Sequence, residues 1–311
     1  MFSSSGRTAN ESWPPMSRPT GSPSRDRLIL LAILALVTAG AWALTVYQAT
    51  TMDMPMGVMP REASGVPESP APAAMDEMDG MAMDDAANMA ATGMAGAGWS
   101  WAAFGAFVLA WAVMMAAMMV PAAAPMIVLF QATATRRKAA GRAFVPTWVF
   151  VVGYLLVWTV IGGITWLLVQ VASDVAGQFG AADRQSWAPL ALGAVLGLAG
   201  LYQLTPLKRV CLDHCRSPFG FVMQHWREGY GGALQMGVVH GLYCLGCCWA
   251  LFAVLVATGV MSLAWMLLLT LVVFAEKVLP FGRRASQVVG LAFLVLGVVV
   301  AVGVADLPGI V

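Results

Sequence analysis

The sequence predicts an all-α integral membrane protein with about seven transmembrane helices. The first observation is composition: 59% of the 311 residues are hydrophobic and only 11% are charged, whereas about a quarter of the residues of a soluble domain are charged. The second is length, because seven apolar stretches reach or nearly reach the roughly 20 residues that a helix needs to cross a bilayer. They cover residues 28–47, 101–130, 146–171, 187–204, 233–258, 262–279 and 285–304.

The distribution of basic residues predicts the orientation of these helices. Fifteen of the 17 Lys and Arg residues precede the first stretch or lie in alternate connections, within 7–27, 136–142, 208–227 and 277–284. Only Arg61 and Arg184 fall on the other side. Because cytoplasmic loops are enriched in Lys and Arg, we expect the N-terminus inside and the C-terminus outside. The formal net charge of +1 gives no indication of a nucleic-acid partner.

Three segments precede a six-helix membrane domain over residues 99–311. Residues 1–27, rich in Ser, Pro and Arg, are predicted to be a disordered cytoplasmic tail. The helix over 28–47 is predicted to be an uncleaved signal anchor, because its apolar run is longer than a usual signal-peptide core. Cleavage is the alternative, since Ala41-Trp42-Ala43 resembles a cleavage site. Either choice exports residues 48–98.

The exported segment is rich in methionine. Residues 48–98 hold ten of the chain's 21 Met residues among Ala, Asp, Gly and Pro, in a place where packing does not explain them. Flexible M-x-M and M-x-x-M patterns offer thioether ligands to Cu(I), and the nearby carboxylates attract cations. The alternative is a linker of biased composition. The candidate ligands are Met52, Met54, Met56, Met75, Met78, Met81 and Met83.

A second methionine group lies inside the second apolar stretch. Met114, Met115, Met118 and Met119 recur at helical spacing. Core packing is the competing interpretation, because Met fills apolar gaps well. Met115 lies near the middle of its stretch and Cys244 near the middle of the fifth. We therefore expect the two groups to meet at the bilayer midplane.

The fifth stretch carries the strongest chemical signal. His240 is followed by Cys244, Cys247 and Cys248 at offsets of four, seven and eight residues, so the four side chains share one helix face. Polar groups at that depth are not hydrated, so they need bonding partners within the protein or have a functional role. Soft donors predict a Cu(I) site, with zinc as the alternative metal. Incidental small apolar cysteines are the competing interpretation.

A third group precedes the fifth stretch on the predicted cytoplasmic side. Cys211, His214 and Cys215 form C-x-x-H-C, which matches neither a haem-attachment motif nor a zinc ribbon. Thiols stay reduced in the cytosol, so metal binding or thiol chemistry is expected rather than a disulfide. Farther along, Glu276 and Lys277 are expected to neutralise each other near the inner surface, with gating or proton movement as the alternative.

Several of these motifs together resemble a known family. W-A-V-M-M-A-A-M-M-V-P-A-A-A-P, Y-Q-L-T-P-L-K-R-V-C-L-D-H-C-R-S-P, G-L-Y-C-L-G-C-C-W-A-L and E-K-x-x-P occur in this order. They are similar to a bacterial family known as predicted metal-binding integral membrane proteins, over roughly 101–303. The resemblance implies a polytopic metal-binding protein, here of the bacterial cytoplasmic membrane, with Cys and His among its ligands.

These observations favour a non-enzymatic protein that binds and traffics copper. The expected partners are the bilayer, the metal ion and a membrane cuproenzyme or periplasmic metallochaperone, for uptake or delivery. One alternative is a thiol-disulfide oxidoreductase that uses Cys244, Cys247 and Cys248 with Cys211 and Cys215. That alternative ranks lower because mid-span cysteines are expected to lack a nearby cation. The other alternative is a non-catalytic assembly subunit of a membrane complex.

Overall fold

The computed structural model describes residues 25–51, 99–141, 145–259 and 262–303. These residues form nine helices and no strand. The helices are α1 (Arg25–Thr51), α2 (Trp101–Ala139), α3 (Thr147–Gly177), α4 (Ala181–Leu204), α5 (Pro206–Arg216), α6 (Pro218–His225), α7 (Gly229–Thr258), α8 (Leu263–Val278) and α9 (Gly282–Ala301). The predicted exported ligands Met52, Met54, Met56, Met75, Met78, Met81 and Met83 lie outside the described residues.

Six of the described helices are long and apolar enough to cross a membrane: α1, α2, α3, α4, α7 and α9. The prediction of an all-α polytopic membrane protein is therefore confirmed. The predicted span over 262–279 is α8, which has 16 residues and is shorter than these six. It rises about 24 Å, less than the roughly 30 Å of a hydrocarbon core. Extended backbone at Leu279, followed by Pro280, ends it.

The connection after α4 is helical and folds back onto the bundle. Thr205 begins α5 as its N-cap, because its side chain accepts a hydrogen bond from the Lys208 N–H, and Pro206 occupies the first turn. Leu212 is buried, while Leu207 and Val210 are exposed, as expected for an amphipathic helix. α5 packs against α7, which brings the C-x-x-H-C motif close to the fifth stretch.

Glycines let α3 and α7 pack with their backbones in contact. A Cβ at Gly237 would collide with the Phe150 carbonyl, and one at Gly153 with the Leu234 carbonyl. Small residues allow such close approach between membrane helices. The residue numbers rise together along the contact, so the two helices run parallel. This register sets Tyr154 of α3 against Cys244 of α7.

Candidate metal centre

Every cysteine and histidine of the chain lies on three consecutive helices. α5 carries Cys211, His214 and Cys215, α6 carries His225, and α7 carries His240, Cys244, Cys247 and Cys248. The sequence predicts the α5 motif to be a separate cytoplasmic group. The structure instead joins it to the α7 group, because Cys215 Sγ lies 3.9 Å from Cys247 Sγ.

The sulfur atoms of this region form a cluster in which Cys244, Cys247 and Cys248 are buried and Cys215 is half-buried. Cys247 Sγ lies 3.4 Å from Cys248 Sγ, and it donates to the Cys244 carbonyl at 3.1 Å. All five cysteines are free thiols. A metal with sulfur bonds of about 2.3 Å holds its sulfur ligands about 3.8 Å apart in a tetrahedral site. The observed 3.4 and 3.9 Å separations are close to that spacing.

The cluster is not a closed coordination sphere. Among the described residues, no group of three His, Cys, Asp or Glu side chains is arranged to hold a metal ion. The thiols of Cys215, Cys247 and Cys248 are directed at one another instead. The donor set and its spacing fit a soft metal, and coordination requires side-chain rotation within the cluster.

A lysine lies in direct contact with the cluster. Lys277 Nζ of α8 is 2.7 Å from Cys244 Sγ, and the Tyr154 hydroxyl is 3.0 Å from the same sulfur. The expectation that mid-span cysteines lack a cation is therefore wrong. It failed because α8 starts at the far end of α7 and ends level with Cys244, halfway along α7. An ammonium group beside a sulfur favours the thiolate, which is the metal-binding form.

Glu276 and Lys277 have different partners, so the expected mutual neutralisation is wrong as well. The Glu276 carboxylate accepts from Lys208 Nζ at 2.7 Å and from Gln203 Nε2 at 3.1 Å. Both members of the Lys208–Glu276 pair are buried, with side chains 1% exposed. Neighbouring residues on a helix point in different directions, and here they reach α5 and α7 respectively. The ion pair fixes α5, which carries Cys211 and Cys215, against α8.

His240 has an unsatisfied nitrogen in an apolar setting. Its ring stacks against those of Phe150 and Tyr154, at centroid distances of 5.9 and 5.6 Å, with Phe221 edge-on at 5.4 Å. The residue is 3% exposed. Its Nδ1 is buried and has no hydrogen-bond partner among the described residues. Such an atom costs about 1–3 kcal/mol, and a bound ligand would satisfy it.

The other two histidines share an aromatic contact. His214 stacks on Tyr243 at 4.3 Å, and His225 meets the same ring edge-on at 6.4 Å. Each directs Nδ1 at the carbonyl four residues earlier, at 2.9 Å for His214 and 3.2 Å for His225. A proton on Nδ1 leaves the Nε2 lone pair for a metal. His225 is not among the residues predicted from the sequence, because no motif surrounds it. The chain has three histidines in all, and this small number is the signal that could have identified it.

Cys211 lies at the edge of the cluster. Its sulfur packs against Gly246, and a Cβ at Gly246 would collide with that sulfur. The Tyr202 hydroxyl donates a hydrogen bond to the Gly246 carbonyl. Burial raises the pKa of the Cys211 thiol. Hydrogen bonding with the Cys244 sulfur raises the pKa of the Cys215 thiol well above its usual range. These α5 thiols hold their protons until a metal displaces them.

The methionine ladder of α2 lies level with the cysteines of α7. The Trp111 ring of α2 lies 6.3 Å from Phe252 of α7. Because the two helices run in opposite directions, a position seven residues further along α2 is level with one about seven residues earlier in α7. Met118 is thus level with Leu245, next to Cys244. Met114, Met115, Met118 and Met119 are at most 1% exposed and belong to the same apolar core as Cys244.

The chain matches the model of a known protein family. The model of a family described as PpoB2, copper chaperone, matches residues 108–300. No curated protein and no solved structure matches the chain. The family match covers well over half of the 311 residues and contains every cysteine and histidine. It agrees with the metal-related resemblance of the sequence motifs, and the chain therefore belongs to the PpoB2 family of copper chaperones.

Proposed function

We propose that this protein binds Cu(I) at the thiol cluster of Cys215, Cys244, Cys247 and Cys248 and passes the ion on within the membrane. The observation that carries the proposal is the 3.9 Å contact between Cys215 Sγ and Cys247 Sγ. This contact joins the C-x-x-H-C motif at the end of α5 to the cysteines in the middle of α7. His240, one turn before Cys244, is a further donor whose Nδ1 needs a partner.

Ligand chemistry favours Cu(I) at this site. Cu(I) is a soft ion that thiolates and thioethers prefer. Two thiolates around Cu(I) leave one excess negative charge, which the Lys277 ammonium beside Cys244 offsets. Uncompensated charge inside a membrane protein is costly, so the single lysine suits Cu(I) held by two of the four sulfur atoms as thiolates.

The arrangement of donors suits inward transfer by ligand exchange. The exported methionines between residues 48 and 98 would collect the ion, and the buried ladder from Met114 to Met119 lies level with Cys244. Thioether, imidazole and thiolate donors form a series of rising affinity for the ion. His214 and His225 contact Tyr243, one residue before Cys244, and Cys211 lies at the edge of the cluster beside Gly246. These three residues are the donors that would accept the ion from the cluster. In this proposal the chain is a carrier that supplies the cell or a membrane cuproenzyme, and it catalyses no reaction.

The first test is copper analysis of the full-length protein purified in detergent under reducing conditions. We expect bound copper in the wild type and a loss of most of it in C247S, because the central sulfur is replaced by a hydroxyl. A250S is the matched control, since it introduces a hydroxyl at a buried position of the same helix and removes no sulfur. Equal copper in C247S and wild type would refute the cluster. Deletion of residues 48–98 separates capture of the ion by the exported methionines from its retention at the thiol cluster.

A thiol-disulfide oxidoreductase is the second candidate, and the Lys277–Cys244 contact favours it. The lysine would stabilise a Cys244 thiolate that attacks a partner's disulfide, releasing one partner thiolate and forming a mixed disulfide. A neighbouring thiolate would then displace the second partner sulfur, leaving an intramolecular disulfide here and a reduced partner. Trapping a partner on Cys244 in a C247S/C248S variant would support this reaction. Absence of any trapped species, with copper retained by the wild type, would favour the carrier.

A further inference from the structure

A cavity of about 630 Å³ opens where α9 begins, apart from the thiol cluster. Its walls come from α5, from the turn between α8 and α9, and from the first turn of α9. They are formed by Asp213, Arg216, Pro280, Phe281, Arg283 and Arg284. Three guanidinium groups face one carboxylate, so the cavity carries an excess of positive charge.

Hydrogen bonds hold two of these guanidinium groups in place. Arg283 donates Nε and Nη2 to the Asp213 carboxylate at 2.9 and 2.6 Å, which compensates its charge. Arg216 donates instead to the backbone carbonyls of Glu276 and Pro280. Carbonyl oxygens carry no net charge, so Arg216 is fixed in position and keeps its positive charge for another partner.

The start of α9 adds to the positive potential. A Cβ at Gly282 would collide with the Arg216 guanidinium, so glycine is what allows Arg216 to lie against this helix end. The first turn, which the structure describes in full, holds two arginines and no acidic residue, and Phe281 provides no side-chain cap. Cations near a helix N-terminus repel its dipole, whereas an anion is attracted to it. A bound anion would therefore stabilise this end of α9.

The surroundings of the cavity indicate where the anion comes from. Phe281 forms part of the wall and is 53% exposed, and Leu207, Val210 and Phe219 on α5 and α6 are exposed too. α9 is a candidate membrane span that begins at the cavity. Arginines at the end of a span, beside exposed apolar side chains, lie at the depth of lipid headgroups. The basic residues also predict this side to be cytoplasmic, where anionic lipids concentrate.

We propose that the cavity binds the phosphate group of an anionic phospholipid, with Arg216 and Arg284 as its charged ligands. Phe281 lies beside the acyl chains. The lipid anchors the α8–α9 turn, and through the Arg216 contacts it also anchors the end of α5. This site is independent of copper binding and stands whether or not the thiol cluster holds a metal.

Native mass spectrometry of the full-length protein in detergent tests this site, with phosphatidylglycerol and phosphatidylethanolamine supplied in equal amounts. We expect the wild type to retain phosphatidylglycerol preferentially. R284Q should reduce that preference roughly fivefold, as expected for one basic residue at an anionic lipid surface. R284K should restore most of it, because the charge remains.

R136Q is the matched control, because it removes an exposed arginine from the end of α2, away from the cavity. Equal lipid preference in R284Q and R136Q would overturn the proposal. Competition with inorganic phosphate tests whether the bound anion is a lipid phosphate or free phosphate. Failure of millimolar phosphate to displace phosphatidylglycerol from the wild type supports a lipid site. Displacement of phosphatidylglycerol from the wild type by phosphate, without such displacement from R284Q, would assign the cavity to free phosphate and overturn the lipid source.

Discussion

The Lys277 ammonium nitrogen lies 2.7 Å from the Cys244 sulfur, halfway along α7. This contact joins α8 to the thiol cluster and places a positive charge among buried sulfur atoms. A thiol alone does not compensate a lysine at such a depth, whereas a thiolate does. The contact thus links the protonation state of the cluster to the position of α8.

Replacing Lys277 by Met should weaken Cu(I) binding by about 10- to 100-fold, the usual effect of removing a group that supports a metal ligand. The physical reason is loss of the charge that stabilises the Cys244 thiolate. K277R should retain part of the affinity. Competition with a Cu(I) chelator of known affinity measures the change in detergent-purified protein.

K138M is the control for that experiment, because it makes the same substitution at the end of α2, away from the cluster. Its Cu(I) affinity should equal that of the wild type. If K277M also binds copper with wild-type affinity, the lysine has no part in metal binding.

The buried Lys208–Glu276 pair should be essential for stability. K208M leaves the buried Glu276 carboxylate with Gln203 as its remaining hydrogen-bond partner among the described residues, and removal of one member of a buried pair costs about 3–5 kcal/mol. K208M/E276L should be more stable than K208M, because the double change leaves no unpaired charge. Thermal unfolding in detergent checks the order of the variants.

The exposed Arg283–Asp213 pair provides a comparison for this prediction. D213N breaks an ion pair in which both side chains are substantially exposed, so its loss of stability should be much smaller than that of K208M. If the two variants unfold at the same temperature, burial does not govern the strength of the Lys208–Glu276 pair.

Replacing His240 by Phe should separate stability from metal binding. The His240 ring already lies among Phe150, Tyr154 and Phe221, and Phe removes the unsatisfied Nδ1. We expect thermal stability equal to or above that of the wild type, since that atom costs about 1–3 kcal/mol, together with weaker copper retention. H225F is the contrasting variant, because its Nδ1 is already hydrogen bonded and no gain is expected. Unchanged copper in H240F would exclude His240 as a ligand.

The predictability of the fold and of the site differs for a physical reason. The helices follow from long apolar stretches, because burial of backbone groups in lipid leaves the helix as the main solution. The shared face of His240 and Cys244 follows from helical spacing alone. The contacts of Lys277 and Cys215 do not, because they depend on where α8 ends and on how α5 folds back. These contacts depend on packing between helices that are distant in the chain, and the sequence around each residue does not specify that packing.

The glycines of α7 should differ sharply in their tolerance of alanine. At Gly237 a Cβ would collide with the Phe150 carbonyl, so G237A must push α3 away from α7. We expect a loss of about 1–3 kcal/mol, as for other overpacked sites, and weaker copper binding, because Tyr154 moves away from Cys244. At Gly231 no atom of the described residues lies within 4 Å of the equivalent position. G231A should therefore be neutral or slightly stabilising, because Ala favours the helix over Gly. Thermal unfolding and copper retention measured on both variants check this, and equal behaviour of the two would contradict the close α3–α7 contact.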